Sequence, residues 1–314
     1  MFQRRVAVGS IRSSTGPAGR KTTEPDHVGK RCNHAHVTSW AVTINLGGPR
    51  QPSASRDGML EWTTEFLSGT HRPRLVFAQE TYPAWLLFVE ESGYQVIEGV
   101  ERGWNVRSAL IVDQGLEVHR LTDADLPELR YHGTYVAAGL WTRSDDTKAV
   151  LASVHASPAY AQPEKYDWPD SATLPTRRHG GSDPRWPNDR WWDSDFVLAT
   201  LHELGERFQV PMLAAGDLNE SLLDDPEGGT WGSEYFKNAA ALGLDAWLHK
   251  LWCREHKGEM PTRAGLQLDH ILVARGGEEL LRVEPAPGRD SRWASDHSAR
   301  RLSDHAAIWF ALAD

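Results

Sequence analysis

The feature that most constrains this chain is a series of short apolar runs, each bounded by polar residues of a few kinds. AVTIN ends on Asn45, LVFAQE on Glu80 and VLASVH on His155; PMLAAG is followed by Asp217 and Asn219, DHILV opens on Asp269, and AAIWF follows Asp304 and His305. Runs of about four to eight residues rich in Val, Ile, Leu and Ala are the pattern of strands buried on both faces. The candidate strands are Val37–Leu46, Arg74–Glu80, Tyr94–Val100, Ser108–Val112, Tyr135–Trp141, Ala149–His155, Val210–Gly216, Leu268–Val273 and His305–Leu312. Helical spacing predicts helices over Gly58–Ser68, Tyr82–Glu91, Trp192–Phe208 and Trp231–Leu242. In the third of these, Phe196, Leu198, Ala199, Leu201 and Leu204 form a stripe with Glu203, Glu206 and Arg207 outside it, so that helix packs on a core. Strands alternating with helices define an α/β class, and periodicity alone goes no further.

A carboxylate, amide or imidazole at the tip of a buried strand sits on a rigid scaffold at the edge of the core, which is what a catalytic constellation requires. Any one of them also suits an ordinary turn or strand end. Their recurrence at one strand tip after another favours a shared site.

The length of 314 residues suits one large domain, and no stretch in the middle reads as a linker. A net charge of −9 excludes a protein that coats duplex nucleic acid non-specifically, since that affinity comes from many Lys and Arg contacts to phosphate, but it leaves room for a nuclease with local contacts. Cys32 and Cys253 make no disulfide framework and no metal-ligand spacing, so both are read as reduced thiols. The first 35 residues lack the apolar segment of a secretory signal, which makes the cytoplasm the default location. Their Gly, Ser, Thr, Pro and charge content predicts a flexible tail over residues 1–35 ahead of a single domain over 36–314. No run approaches the roughly 18 apolar residues of a membrane span. No obligate protein partner is evident.

One segment departs from the alternation. Residues 160–191 and the Trp192 that follows carry Tyr160, Tyr166, Trp168, Trp186, Trp191 and Trp192 with the basic run Arg177, Arg178, His179. A loop this long is functional or disordered more often than not. Its aromatics, with Trp186, Trp191 and Trp192 foremost, have the character either of stacking surfaces for single-stranded bases, with Arg177 and Arg178 on the phosphates, or of a cover packed on the fold.

Taken in order, TINLGG, FAQET, SVHASP, AAGDLNES, LQLDHILV and LSDHAAIWF resemble the motif series of the endonuclease/exonuclease/phosphatase superfamily, which includes deoxyribonuclease I, exonuclease III, sphingomyelinases and inositol polyphosphate phosphatases. The resemblance runs from about residue 37 to the end of the chain. It implies an α/β (α+β) four-layer sandwich, two packed mixed β-sheets flanked by helices, with the motif loops meeting at one end. It also implies a metal-dependent phosphoesterase that uses Mg²⁺ or Mn²⁺ and attacks with water directly. Glu80 is then the first metal ligand, with Asn45 and Asp304 as supports or further ligands; hard cations prefer such oxygen donors. Asp269 orients His305, which either activates water or contacts the scissile phosphate. Asp217 positions the water, and His155 and Asn219 donate hydrogen bonds to phosphate oxygens. Arg107 is a candidate phosphate contact or a solvated strand-edge residue.

The substrate stays open between a nucleic-acid phosphodiester and the phosphate ester of a small molecule or lipid headgroup. Ser–Asp–His occurs twice, at Ser295–His297 and Ser303–His305. Only the second leads into an apolar strand, so the motif is assigned there; the first leads into Ala299–Arg300–Arg301, a basic stretch with the character of a mobile surface loop.

Overall fold

The computed structural model describes residues 39–47, 53–69, 72–99, 107–131, 135–161, 163, 168–170, 172, 174–178, 191–221, 231–263, 266–282, 294–296 and 303–313. The chain divides into Met1–Val37 and Thr38–Asp314, and every described residue belongs to the second unit. The tail expected over residues 1–35 therefore lies outside the described residues.

The elements run β1 (Ser39–Asn45), α1 (Ser53–Ser68), β2 (Leu75–Thr81), α2 (Pro83–Glu91), β3 (Tyr94–Glu98), β4 (Arg107–Asp113), β5 (Glu117–Arg120), β6 (Val136–Thr142) and β7 (Lys148–His155). They continue with α3 (Asp193–Phe208), β8 (Met212–Asp217), α4 (Trp231–Ala241), β9 (Asp245–Ala246), α5 (Trp247–Cys253), β10 (Asp269–Ala274), β11 (Leu281–Arg282), β12 (Ala294–Asp296) and β13 (Ala307–Leu312). One sheet has the order β11-β13-β1-β2-β4-β3, with β12 also paired to β13; the other has the order β5-β6-β7-β8-β10-β9. Both are mixed, because β1 runs parallel to β2 and antiparallel to β13, and β7 runs parallel to β8 while β10 runs antiparallel to it.

Side chains alternate across a strand, so a strand buried on both faces feeds two cores. Ala149 and Leu151 of β7 face the first sheet's Phe77, Leu110 and Phe310 in a core between the sheets, whereas Val150 and Ala152 face Val197, Leu198 and Leu201 of α3. On the other side Val42, Val76 and Ile111 pack against Met59 and Phe66 of α1 and Trp85 and Val89 of α2. The result is four layers: helices, sheet, sheet, helices. No helix among the described residues is long and apolar enough to cross a membrane.

Each strand and helix expected from periodicity is present, with ends shifted by a few residues. The additional strands β5, β9, β11 and β12 carry too few apolar residues to register, only Val118 of β5's four residues being buried, and the seven-residue helix α5 is too short to show a helical period. Ser295 and Asp296 of the first Ser–Asp–His lie on β12, paired to Ile308 and Ala307 of β13; His297 and the basic stretch after it lie outside the described residues.

Candidate active site

Strand register gathers the polar tips. Asp217 at the end of β8 lies abreast of His155 at the end of β7 and of Asp269 at the start of β10. In the other sheet Asn45 lies abreast of Gln79, next to Glu80. The Ser303–His305 turn enters beside them, with Ser303 Oγ donating to Asn45 O at 2.7 Å. Buried Gln79 ties the two rows together: its Nε2 donates to Ser153 Oγ at 3.2 Å, and Ser153 Oγ donates back to Ala78 O at 3.0 Å. Glu80 occupies a bulge between Ala78 and Thr81 with φ +50, a left-handed conformation that a non-glycine residue holds only when its surroundings impose it. The bulge re-aims its carboxylate toward the site.

Around Asp217 the contacts converge. Asn45 Nδ2 donates to Asp217 Oδ2 at 2.9 Å and to Glu80 Oε1 at 3.3 Å, while its Oδ1 accepts the Gly47 N–H at 2.8 Å. His155 Nε2 lies 3.6 Å from Glu80 Oε1 and 3.9 Å from Asp217 Oδ2. His305 Nδ1 bonds Asp269 Oδ2 at 2.8 Å, and its Nε2 faces Asp217 Oδ2 at 3.6 Å. Asp269 is itself held through its N–H, which donates to Thr262 Oγ1 at 3.2 Å.

The electrostatics follow from burial. Desolvation raises the Asp217 carboxyl above the usual range, with Asp269 adding to the rise and the two imidazoles opposing it. Burial works against charge on His305 too, but Asp269 and Asp217 outweigh it and lift the ring to about 9. Asp269, although buried, is held below the ordinary carboxylate value by the charge and hydrogen bond of His305. The pair Asp269–His305 is thus an ion pair at neutral pH, and its Nε2 proton points at the site.

Among the described residues two groups bring ligand atoms within 4.8 Å of one another: Glu80, His155 and Asp217, and Asp217, Asp269 and His305. In the second group Asp269 Oδ2 and His305 Nδ1 are already paired with each other, while Asp269 Oδ1 is buried without a hydrogen-bond partner. The first sets Glu80, whose side chain is 28% exposed, against the buried carboxylate of Asp217, with His155 next to both. A divalent cation would offset the charge of these two carboxylates, whose oxygens are donors that such an ion accepts. The residues fit the metal.

Asn45, Glu80, His155, Asp217, Asp269 and His305 are therefore brought together as expected. Asn219 reaches the same turn with its Nδ2 donating to Ala156 O at 2.8 Å, which leaves its second amide hydrogen for another acceptor. Asp304 lies at the edge of the site: its 56% exposed side chain pairs with Arg263 at 2.6 Å through one oxygen, and the other lies 3.8 Å from His305 Nε2, outside both ligand groups. Arg107 departs from expectation, because Glu98 takes its Nη1 with both carboxylate oxygens at 2.8 and 2.7 Å. Trp191 donates to Pro175 O at 2.7 Å under the Arg177 guanidinium, and buried Trp192 leads into α3 with its ring 4.4 Å from that of Tyr160. These tryptophans pack on the fold, and Arg178 is fully buried rather than displayed to phosphates. Trp186 lies outside the described residues. Gln79, Ser153 and Thr262, which hold the site in place, escape sequence reading; only the adjacency of Gln79 to Glu80 hinted at one of them.

No protein-family model matches the chain, and no curated protein matches it. Solved structures do. The endonuclease domain of TRAS1, a telomere-specific non-LTR retrotransposon, superposes with a TM-score of 0.50 at 15% identity, over 88% of this chain and 98% of that one. The human Nocturnin catalytic domain with a bound sulfate anion gives 0.54 at 13% identity, over 88% and 93%. D. rerio TDP2 humanized by 14 mutations gives 0.52 at 14% identity, over 88% and 99%.

Proposed function

We propose, taking as premise that the chain has the deoxyribonuclease I-like fold of these structures, that it is a metal-dependent hydrolase of phosphate esters working by direct attack of water. The observation that carries this reading is the convergence of Glu80, Asn45, His155, Asp217, Asp269 and His305 from the ends of both sheets onto one spot. It gains support from TRAS1 being an endonuclease domain and from the sulfate in Nocturnin, an anion that resembles phosphate in shape and charge.

A Mg²⁺ or Mn²⁺ ion would be held by Glu80, with Asn45 and Asp217 beside it, and would supply charge that polarises a phosphoryl oxygen and offsets the leaving group. Asn45 keeps both carboxylates in place, since its Nδ2 donates to each of them. Asp217 orients the attacking water and takes a proton from it as the new P–O bond forms and the leaving oxygen departs. His305, made cationic by Asp269, donates Nε2–H to a non-bridging oxygen as charge redistributes, and His155 and the free amide hydrogen of Asn219 donate beside it. No side chain acts as a covalent nucleophile; Ser303 Oγ is committed to Asn45 O.

The substrate in this reading is a nucleic-acid phosphodiester. The internal commitment of Arg107, Arg178, Trp191 and Trp192 favours a second reading, a small-molecule or lipid-headgroup phosphate, because it removes the expected platform for bases. The same proposal makes residues 36–314 one catalytic domain acting in the cytoplasm without an obligate protein partner. The test is a panel of single- and double-stranded DNA, RNA, bis-p-nitrophenyl phosphate and phospholipids with Mg²⁺ or Mn²⁺. Cleavage of at least one phosphate ester is expected, with DNA or RNA preferred. Inertness toward the whole panel would contradict the reading.

A further inference from the structure

Arg178 has no role in the chemistry above, yet it is buried and fully engaged. Its Nη1 and Nη2 donate to the two oxygens of Glu220 at 2.8 and 2.7 Å, Nη2 also donates to Ser194 Oγ at 2.8 Å, and Nε lies 2.8 Å from Asp195 Oδ1. Ser194 Oγ in turn donates to Glu220 Oε1 at 2.5 Å. Four residues from three parts of the chain, the 174–178 segment, the first turn of α3 and the turn after β8, are thereby locked together.

Glu220 directly follows Asn219, and what surrounds it is a clamp. His270, next to Asp269 on β10, has its Nε2 2.8 Å from Glu220 O, and Ser221 Oγ bonds the Glu259 carboxylate. On the other side of Asn219, Leu218 N–H donates to Leu268 O at 2.9 Å. Between these anchors Asn219 is left-handed, φ +52, and its N–H donates to Asp217 Oδ1 at 2.9 Å. A left-handed non-glycine residue relaxes unless its flanks are fixed, and relaxation here withdraws that N–H from Asp217.

We propose that Arg178 is a positioning residue: its two-pronged grip on Glu220 holds the Asp217–Glu220 turn in the conformation that aims Asp217 and Asn219. A fully buried ion pair adds little net stability over well-packed apolar groups, whereas a planar guanidinium fixes a carboxylate in distance and angle. Lysine, a point charge on a flexible stem, keeps the charge and loses the geometry. The inference rests on the catalytic reading of the preceding subsection, and its test includes an arm that does not.

The experiment compares Arg178→Lys, Arg178→Met and the nearly isosteric Glu220→Gln with the wild-type chain. Hydrolysis of bis-p-nitrophenyl phosphate with Mn²⁺ is measured well below each variant's melting temperature, where all molecules are folded. Amide hydrogen exchange of Asn219 is followed in parallel, with Ala214 in mid-β8 as the internal reference. The expected result is a fall in kcat of about 10²-fold for both Arg178 variants, lysine included, with KM changed by less than about threefold, as for a small misplacement of catalytic groups. Glu220→Gln, which keeps the shape of the side chain and an acceptor for the guanidinium, is the milder perturbation and shows a smaller loss in the same direction. Asn219 exchange accelerates by at least about tenfold while Ala214 stays protected. Wild-type kcat in the folded variants, or unchanged Asn219 protection, overturns the proposal and leaves Arg178 a structural residue. If the wild-type chain cleaves nothing, the catalytic reading fails, and Asn219 exchange alone decides the positioning claim.

Discussion

At Asp217 two demands meet in one carboxylate. Burial drives it toward the neutral form, while hydrogen bonds from Asn45 Nδ2 and the Asn219 N–H keep the ionised form aimed at the site. His305 lives under the opposite arrangement, its charge sustained by Asp269 at 2.8 Å. Alanine at position 305 leaves Asp269 buried without its partner, a change that costs about 3–5 kcal/mol, so the informative substitution is His305→Asn, whose amide can replace Nδ1 toward Asp269. We expect His305→Asn to stay folded by circular dichroism and to lose at least about 10²-fold in kcat; wild-type turnover would remove His305 from the chemistry. Most of these residues were legible because each terminates or opens an apolar strand. Asp304 has the same sequence context, but Arg263, 41 positions earlier and unremarkable in its own segment, shares it with His305, holding one oxygen at 2.6 Å while the other lies 3.8 Å from Nε2. Thr262 was illegible for a related reason, since its task of binding the Asp269 N–H depends on a hairpin that no local pattern announces.

Among the elements, β7 and β8 matter most, because their parallel register sets His155 against Asp217. Gly216 makes the pairing possible: its φ is +156, and a Cβ there would meet Val154 O at 1.8 Å. Gly216→Ala must push the strands apart one residue from Asp217. It should lower the free energy of unfolding in urea by at least about 1–3 kcal/mol, and an unchanged midpoint would show that the strands have room to spare. Strands and helices with continuous apolar faces were readable from spacing. The two-residue strands β9 and β11 were not, because they exist only as partners of neighbours already in place. The aromatic segment shows the limit of composition. Tryptophans that suit a stacking surface equally suit a cover, and the described ones, Trp168 beside Tyr131 and Phe196, and Trp191 and Trp192, are cover.

For the whole molecule, periodicity identified an α/β chain, and the motif series was needed to arrange it as two packed sheets between helices. The fold then brings six distant segments to one end, and beneath that end lies the buried Arg178–Glu220–Asp195 network. It sets one cation against two carboxylates, and burial pushes Asp195 up to about 7 against the pull of Arg178. The folded state thus favours the protonated acid: its contribution to stability is fully present below the ordinary value of 3.8 and is lost as pH rises through about 7. Asp195→Asn cannot ionise, so the wild-type minus variant difference in unfolding free energy should decline steadily across that window. A difference independent of pH would show that folding does not raise the Asp195 carboxyl above its ordinary value. The central claim concerns the other cluster. Protein stripped with chelator should leave bis-p-nitrophenyl phosphate intact, recover saturably with added Mg²⁺ or Mn²⁺, and in Glu80→Gln require at least about tenfold more metal for half-recovery. Full hydrolysis in excess chelator, or an identical metal titration in Glu80→Gln, would contradict the account.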